Sequence, residues 1–239
     1  MRFIYHNPIP DFYNVENPDS PETVISDDFL NEFVDIALAS RFAGVSYSKL
    51  SDEFKNEWDI DWDNIIILKC FISDEILKME PSSEKCRLAD EEFQEFGQKT
   101  FALADILREN GFKADLINPL DDRVSLRAVA MQSNDAVITR SNMCLFKEGL
   151  NLGFFMIDTS IENLPFKRDN DMEWVSDYCS TCGVCRDRCP ENAFDEQGNF
   201  LRKLCTAHRE GCSVCINFCP FYKRGYEKVK KRYGRMKNV

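Results

Sequence analysis

Two periods of apolar spacing run along this chain. Over residues 26–43, Phe29, Leu30, Phe33, Ile36 and Ala37 recur every three or four positions behind a Ser-Asp-Asp start. That spacing predicts one apolar helix face, with Ser26 as the capping oxygen and two aspartates suited to the positive helix start. AGVSYSKL then predicts a short extended segment, and NIIILKCF, at 64–71, is a near-continuous apolar run. Such a run suits a central strand buried on both faces. A long helix is predicted over 89–110 from Phe93, Phe96, Phe101, Ala104, Ile106 and Leu107, with Gly111 stopping it. FKADLINPL predicts a strand, SLRAVAMQS a short helix, and AVITRSNMCLF followed by LNLGFFMIDTSI a pair of strands. This order predicts an α/β or α+β sandwich over residues 1–172, not a helix bundle. ENLPFKRDNDMEW is the expected linker, and no internal repeat or low-complexity tract appears.

The pattern changes after residue 172. Residues 173–221 hold too few large aliphatics to build a core alone, yet eight of the chain's eleven cysteines fall between Cys179 and Cys219. The first run, CSTCGVCRDRCP, has the C-x2-C-x2-C-x3-C-P spacing of bacterial ferredoxins, and GCSVCINFCP completes the pair. Cysteines separated by two intervening residues on a tight turn can aim their sulfurs at one set of irons. The cysteine before each proline sits where the chain turns away, and so serves the other cluster. This assigns Cys179, Cys182, Cys185 and Cys219 to one [4Fe-4S] cluster, and Cys189, Cys205, Cys212 and Cys215 to a second. Cys205 is the irregular member, since six residues separate it from Cys212.

Paired four-cysteine zinc sites also use C-x2-C spacing, but they need neither shared ligands nor Cys-Pro endings. A disulfide framework suits a secreted chain, whereas this N-terminus is polar and shows no signal peptide or twin-arginine leader. With no apolar run of membrane-helix length, the expected home is the reducing cytoplasm.

Charge adds one further feature. The 239-residue chain carries a formal net charge of -11, yet its tail, 222–239, holds eight basic residues and one acidic residue. Tyrosines interleaved with lysine and arginine predict either a solvated C-terminal helix or a grip on an acidic protein partner or a tRNA backbone.

The order of a strand, a Pro-Ser loop, a long helix ending in LRENGFKA, LINPL, a short helix, and LGFFMIDTSIENLPF leading into CSTCGVCRDRCPENAF resembles epoxyqueuosine reductases and corrinoid reductive dehalogenases. The resemblance covers roughly residues 28–221. It implies a nitroreductase-like N-terminal domain able to hold a corrinoid, and a ferredoxin-like module with two [4Fe-4S] clusters that feeds it electrons. The detached Cys205 fits that family pattern. NDAVITRSNMCLF has no glycine where members that reduce epoxyqueuosine carry a glycine-rich stretch, and the only histidines are His6 and His208. Arg140 falls where the family often has a lysine near its glycine loop, which implies contact with an anionic cofactor group or substrate, the alternative being a solvated surface residue.

Three functions follow as expectations. The first is a reductase, taking electrons from a ferredoxin or flavodoxin and passing them to a corrinoid or a substrate in the N-terminal domain. The second is an electron-transfer subunit for a partner enzyme, and the third a queuosine-type tRNA-modification reductase. Among the remaining residues, Cys70 and Cys144 read as small buried hydrophobes, and Cys86 as a thiol in a polar loop. His208 reads as an exposed loop residue or a bond to a cluster sulfide. Tyr47, Trp58, Trp62 and Trp174 read as core fillers or as walls of a cavity.

Overall fold

The computed structural model describes residues 9–58, 63–117 and 124–237, apart from the side chain of His208. His6, Trp62 and the end of FKADLINPL lie outside the described residues. The first helix, α1, spans Asp27–Ala39, and the Ser26 side chain accepts the Phe29 N–H as its cap. It ends before residue 43 because Arg41 adopts a left-handed backbone (φ 76°), and the Phe42 N–H then bonds back to the Ala37 carbonyl. The reversal buries Phe42 against Phe96, so tertiary packing rather than helix propensity sets the boundary.

Strand β1, Gly44–Lys49, is followed by helix α2, Asp52–Trp58, and strand β2, Asn64–Phe71. Helix α3, Asp74–Lys78, precedes the long helix α4, Ser83–Glu109. Helix α4 starts six residues before the expected position because Ser82 caps it, accepting the Lys85 N–H. Cys86, expected in a polar loop, is therefore on the first turns of a helix and buried. Gly111 does end the helix, with φ 86°, and the Phe112 N–H folds back onto the Leu107 carbonyl.

Strand β3, Ala114–Ile117, and helix α5, Leu126–Gln132, come next, then β4, Val137–Ile138, β5, Cys144–Leu145, and β6, Leu152–Thr159. The expected strand pair is rearranged: β4 and β5 pair with each other as a separate two-stranded hairpin, and β6 joins the main sheet. Asn142, with φ 61°, makes the tight reversal between β4 and β5.

The main sheet has the order β1-β2-β6-β3, and every neighbouring pair is antiparallel. Strand β2 is central, as its apolar run predicts, because it is buried on both faces. Ile66, Leu68 and Cys70 face α1 and α4 in a core with Phe33, Phe93, Phe96 and Phe155. Ile65 and Ile67 face the other way, toward Trp58, Val129, Ala130, Cys144 and Phe146. Cys70 and Cys144 are thus the small buried hydrophobes the sequence predicts, and burial pushes the Cys144 thiol up to about 11. Lys69 is the exception in the strand. It is fully buried and held by Ser46, Asp135 and Glu148, with the Phe146 ring beneath it.

The cysteine-rich segment is short helices and turns: α6, Trp174–Cys182, α7, Val184–Asp187, a 3-10 turn at Arg202–Leu204, α8, Ala207–Glu210, α9, Val214–Asn217, and α10, Pro220–Arg224. The tail is a packed helix, α11, Tyr226–Lys237, with Tyr226 and Val229 buried. A third apolar cluster joins Leu77, Cys86 and Ala89 of α3 and α4 to Leu145, Met172, Val175, Ile216, Phe221 and Val229. The segment therefore supplements its own few aliphatics by packing on the sheet-bearing part of the chain. Trp174 lies at its centre, against Tyr178, Phe221, Tyr226 and Tyr233, while Tyr47 packs on the sheet core and Trp58 is buried. Among the described residues, no helix is long and apolar enough to cross a membrane.

Candidate metal centres and an adjoining cleft

Short helices broken by glycine deliver the cysteines. Helix α6 presents Cys179 and Cys182, one turn apart, and ends at Gly183 in the left-handed conformation (φ 61°), which starts α7 and turns Cys185 back toward them. Gly211 does the same between α8 and Cys212, with φ 70°. Cys219 is the N-cap of α10 with Pro220 at the first helical position, the helix start expected of a Cys-Pro pair. Cys189 also precedes a proline, but it is followed by a turn rather than a helix.

Cys179, Cys182, Cys185 and Cys219 line one small apolar cavity, together with Tyr178, Val184, Phe221 and Arg140. Burial pushes the Cys185 thiol up to about 11, helped by the nearby Cys179 and Cys182, and pushes Cys219 up to about 12. Nearby backbone N–H groups oppose this, those of Phe221 and Tyr222 for Cys219 and that of Arg140 for Cys179. The second set is also mutually close. Burial raises the Cys205 thiol and the Cys212 and Cys189 thiols add to it, while Cys215 is raised by burial and then by Cys212 and Cys205. The Ala193 N–H reaches Cys189 Sγ at 3.4 Å. Cys215 also feels Cys185 and Cys219, so the two sets are adjacent.

All eight of these cysteines are free and partly buried. Among the described residues, no three His, Cys, Asp or Glu groups are set to chelate a single metal ion. The first four thiols share the lining of one cavity. Crowded, buried thiols hold their protons until a cationic centre displaces them.

Arg140 reaches over the turn made by Gly198 (φ 82°), and a Cβ there would meet its Nη1 at 2.6 Å. The same arginine, with Arg202, Asn142, Asn199, Ser176 and Ser180, lines an open cleft of about 390 Å³ that has Cys179 in its wall. The cleft thus has two guanidinium-bearing residues and several neutral hydrogen-bonding groups beside a thiol of the first set. Its size is within the range for small ligands. It is far short of what a corrinoid macrocycle with its side chains and nucleotide would fill, so these residues do not form a corrinoid seat.

Sequence reasoning found the eight cysteines and Arg140 but missed Lys85. Its ammonium is fully buried beside Cys212 and donates to Ser213 Oγ at 2.6 Å and to the Leu77 and Met79 carbonyls. Nothing in SSEKC signals burial, because the partners are carbonyls and a distant serine.

A mixed α/β chain with an antiparallel sheet and a cysteine-rich helical segment packed on it is the fold of a known group of reductases. The solved structures it resembles are reductive dehalogenases and epoxyqueuosine reductases. The catabolic reductive dehalogenase NpRdhA, in complex with 3-bromo-4-hydroxybenzoic acid, superposes with a TM-score of 0.65 at 14% identity, over 83% of this chain and 32% of that one. A second reductive dehalogenase, whose structure suggested a mechanism for B12-dependent dehalogenation, gives a TM-score of 0.65 at 13% identity, over 96% of this chain and 36% of that one. Epoxyqueuosine reductase with a tRNA-Tyr stem loop gives a TM-score of 0.58 at 16% identity, over 83% of this chain and 66% of that one. At these identities the likeness defines the fold. The chain spans about a third of the length of the dehalogenases it matches. No family model and no curated protein matches the sequence.

Proposed function

We propose that this chain is an iron-sulfur reductase with two [4Fe-4S] clusters, one held by Cys179, Cys182, Cys185 and Cys219, the other by Cys189, Cys205, Cys212 and Cys215. One observation carries the reading: the first four thiols, brought together from α6, the start of α7 and the start of α10, line a single apolar cavity. Clusters bound there supply one-electron transfer at potentials set by hydrogen bonds to sulfur and by burial. The chain's own residues do the rest. Phe221 and Tyr178 exclude water from the cavity, and the nearby backbone N–H groups stabilise added negative charge on the Cys179 and Cys219 sulfurs.

The adjoining cleft is the proposed acceptor site. Arg140 and Arg202 hold an anionic group of a small substrate, and Ser176, Ser180, Asn142 and Asn199 orient its neutral part beside Cys179. The domains follow as proposed from sequence, with a sheet-bearing reductase-like part at 1–172, a ferredoxin-like module at 173–221 and a basic tail at 222–239. The resemblance to B12-dependent dehalogenases raises a corrinoid as the electron acceptor, but the cleft beside Cys179 gives it no seat and no step is assigned to it.

Anaerobic reconstitution followed by iron and sulfide analysis tests the reading. About eight irons and eight sulfides per chain are expected from two cubanes. A colourless protein holding two zinc ions would overturn it.

A second reading, a non-catalytic electron-transfer subunit, is favoured by the absence of glycine in NDAVITRSNMCLF. It predicts reducible clusters with no small-molecule binding at Arg140.

A further inference from the structure

Cys182 has a second exposure. Besides lining the thiol cavity, it lies in the floor of an outward groove of about 470 Å³ walled by Tyr178, Val184, Phe218, Pro220 and Met236. Phe218 and Met236 are 37% and 55% exposed, an apolar centre left facing solvent. Around it stand cations. Arg188 and Lys223 lie over the Phe218 ring at 5.0 and 4.7 Å, and Arg224 and Arg232 line the groove itself. All four side chains are exposed, and among the described residues none of the four is in an ion pair.

Helix α11 explains why the basic rim holds its shape. Its inner face is tied down by the Trp174 Nε1–H bond to the Tyr226 hydroxyl at 3.1 Å, by Tyr233 stacked on Trp174, and by buried Val229. Asp177 anchors its end through the Tyr233 hydroxyl and Lys237. Arg232 on this helix lines the groove, while Lys230 and Lys237 lie over the Tyr226 and Tyr233 rings.

We infer that this groove is the docking face for an acidic protein electron carrier of the ferredoxin or flavodoxin kind, delivering electrons at the Cys182 edge of the first cysteine set. The inference rests on the iron-sulfur reading above. Charge complementarity joined to position selects this occupant. A chain of net charge -11 repels an acidic carrier over most of its surface, and its one basic stretch surrounds the groove that reaches a cluster thiol. An apolar centre with an unpaired cationic rim matches the anatomy of transient protein interfaces.

The test uses the full chain and the variant K223E/R224E/R232E. Binding of a fluorophore-labelled plant-type ferredoxin is read by anisotropy across a salt series. Reduction of the reconstituted clusters by the same ferredoxin and by dithionite is then followed by stopped flow. Binding that weakens with salt, falls roughly tenfold or more in the variant, and is matched by an equal loss of the ferredoxin rate with the dithionite rate unchanged is the expected result. Equal ferredoxin binding by both proteins overturns the inference. So does loss in the variant of binding to a labelled RNA hairpin with ferredoxin unaffected, which assigns the face to nucleic acid. Absence of any dithionite-reducible chromophore sinks the iron-sulfur reading instead, and the anisotropy result still reports on the face by itself.

Discussion

Lys85 Nζ donates to Ser213 Oγ at 2.6 Å, and this bond joins the first turn of the longest helix to the loop between Cys212 and Cys215. The ammonium is completely buried, and its other acceptors are the Leu77 and Met79 carbonyls rather than a carboxylate. A buried cation with only neutral partners is costly unless negative charge lies nearby. Glu80, with Cys212 and Cys86, lies near enough to oppose the cost of burial. Lys85→Met keeps the volume and removes the charge and the bond to the Met79 carbonyl, while the Leu77 carbonyl keeps its donors Ser213 Oγ and Asn217 Nδ2. The expected loss is about 2–4 kcal/mol of unfolding free energy, read by urea denaturation of the unreconstituted chain. In the reconstituted protein, one of the two redox couples shifts to lower potential while the other stays, because a cation beside one cluster stabilises its more negative reduced state. A shift of both couples together would show that Lys85 acts through the fold alone.

Cys219 sits forty residues beyond Cys179 in sequence but lines the same cavity. Cys219→Ser is therefore expected to damage the cluster of Cys179, Cys182 and Cys185 and to spare the other, whereas Cys189→Ser does the reverse. Electron paramagnetic resonance of the two variants, each half-depleted of iron, distinguishes the two losses. Identical spectra from both would refute the crossed ligand scheme.

The elements most legible in the sequence are those whose signal is local. NIIILKCF declares a doubly buried strand, and Gly111 and the Cys-x2-Cys turns declare where backbone direction must change. What stayed hidden depends on partners far along the chain. The start of the long helix needs Ser82 as a cap and the Glu210 carbonyl, which accepts the Ser82 N–H. The pairing of Val137–Ile138 with Cys144–Leu145 hinges on the left-handed Asn142, and asparagine is ambiguous between turn and strand end. The cleft beside Cys179 draws on residues 138–142, 176–180 and 198–202, three segments that no pattern links. Lys69 was the one hidden feature with a visible sign, a lysine in the middle of an apolar strand.

That lysine makes a pH prediction. Burial raises the Asp135 carboxyl, but the ammonium groups of Lys69 at 3.2 Å and Lys167 at 2.7 Å, with the Ser46 hydroxyl, outweigh it and hold the group below the usual carboxylate range. A folded value below the unfolded one stabilises the fold above the unfolded value, about 3.9, and that stabilisation is lost as pH falls through the folded value. Asp135→Asn should therefore be less stable than the parent near neutral pH, with the difference shrinking on acidification below the ordinary Asp range. Urea midpoints measured at both ends give the comparison. A constant difference across the range would mean that the charge on Asp135 is immaterial.

Gly198 places Arg140. Its φ of 82° disfavours any side chain, and an added Cβ would meet the guanidinium at 2.6 Å. Gly198→Ala should weaken binding of small anionic ligands to the cleft roughly tenfold, a loss comparable to Arg140→Gln, while both clusters still assemble. Isothermal titration with benzoate as the anionic probe, alongside iron content, separates a displaced arginine from a collapsed module. If Gly198→Ala binds the probe as the parent does, the arginine is not the anion contact.

Corrinoid binding is the point on which fold likeness and local geometry diverge. One structural neighbour is a B12-dependent dehalogenase, whereas the cleft beside Cys179 holds about 390 Å³ and the hairpin bordering it has no glycine through which backbone closely approaches a ring. If local geometry governs, one equivalent of cob(II)alamin added to the reconstituted protein keeps the electron paramagnetic resonance signal of free cob(II)alamin, and both clusters remain reducible. The small anion then competes for nothing and binds at Arg140 unaided. A changed cobalt signal would place a corrinoid elsewhere on the chain. In that case Arg140→Gln would leave the cobalt signal of the complex unaltered, because the arginine belongs to the cleft and not to the corrinoid surface.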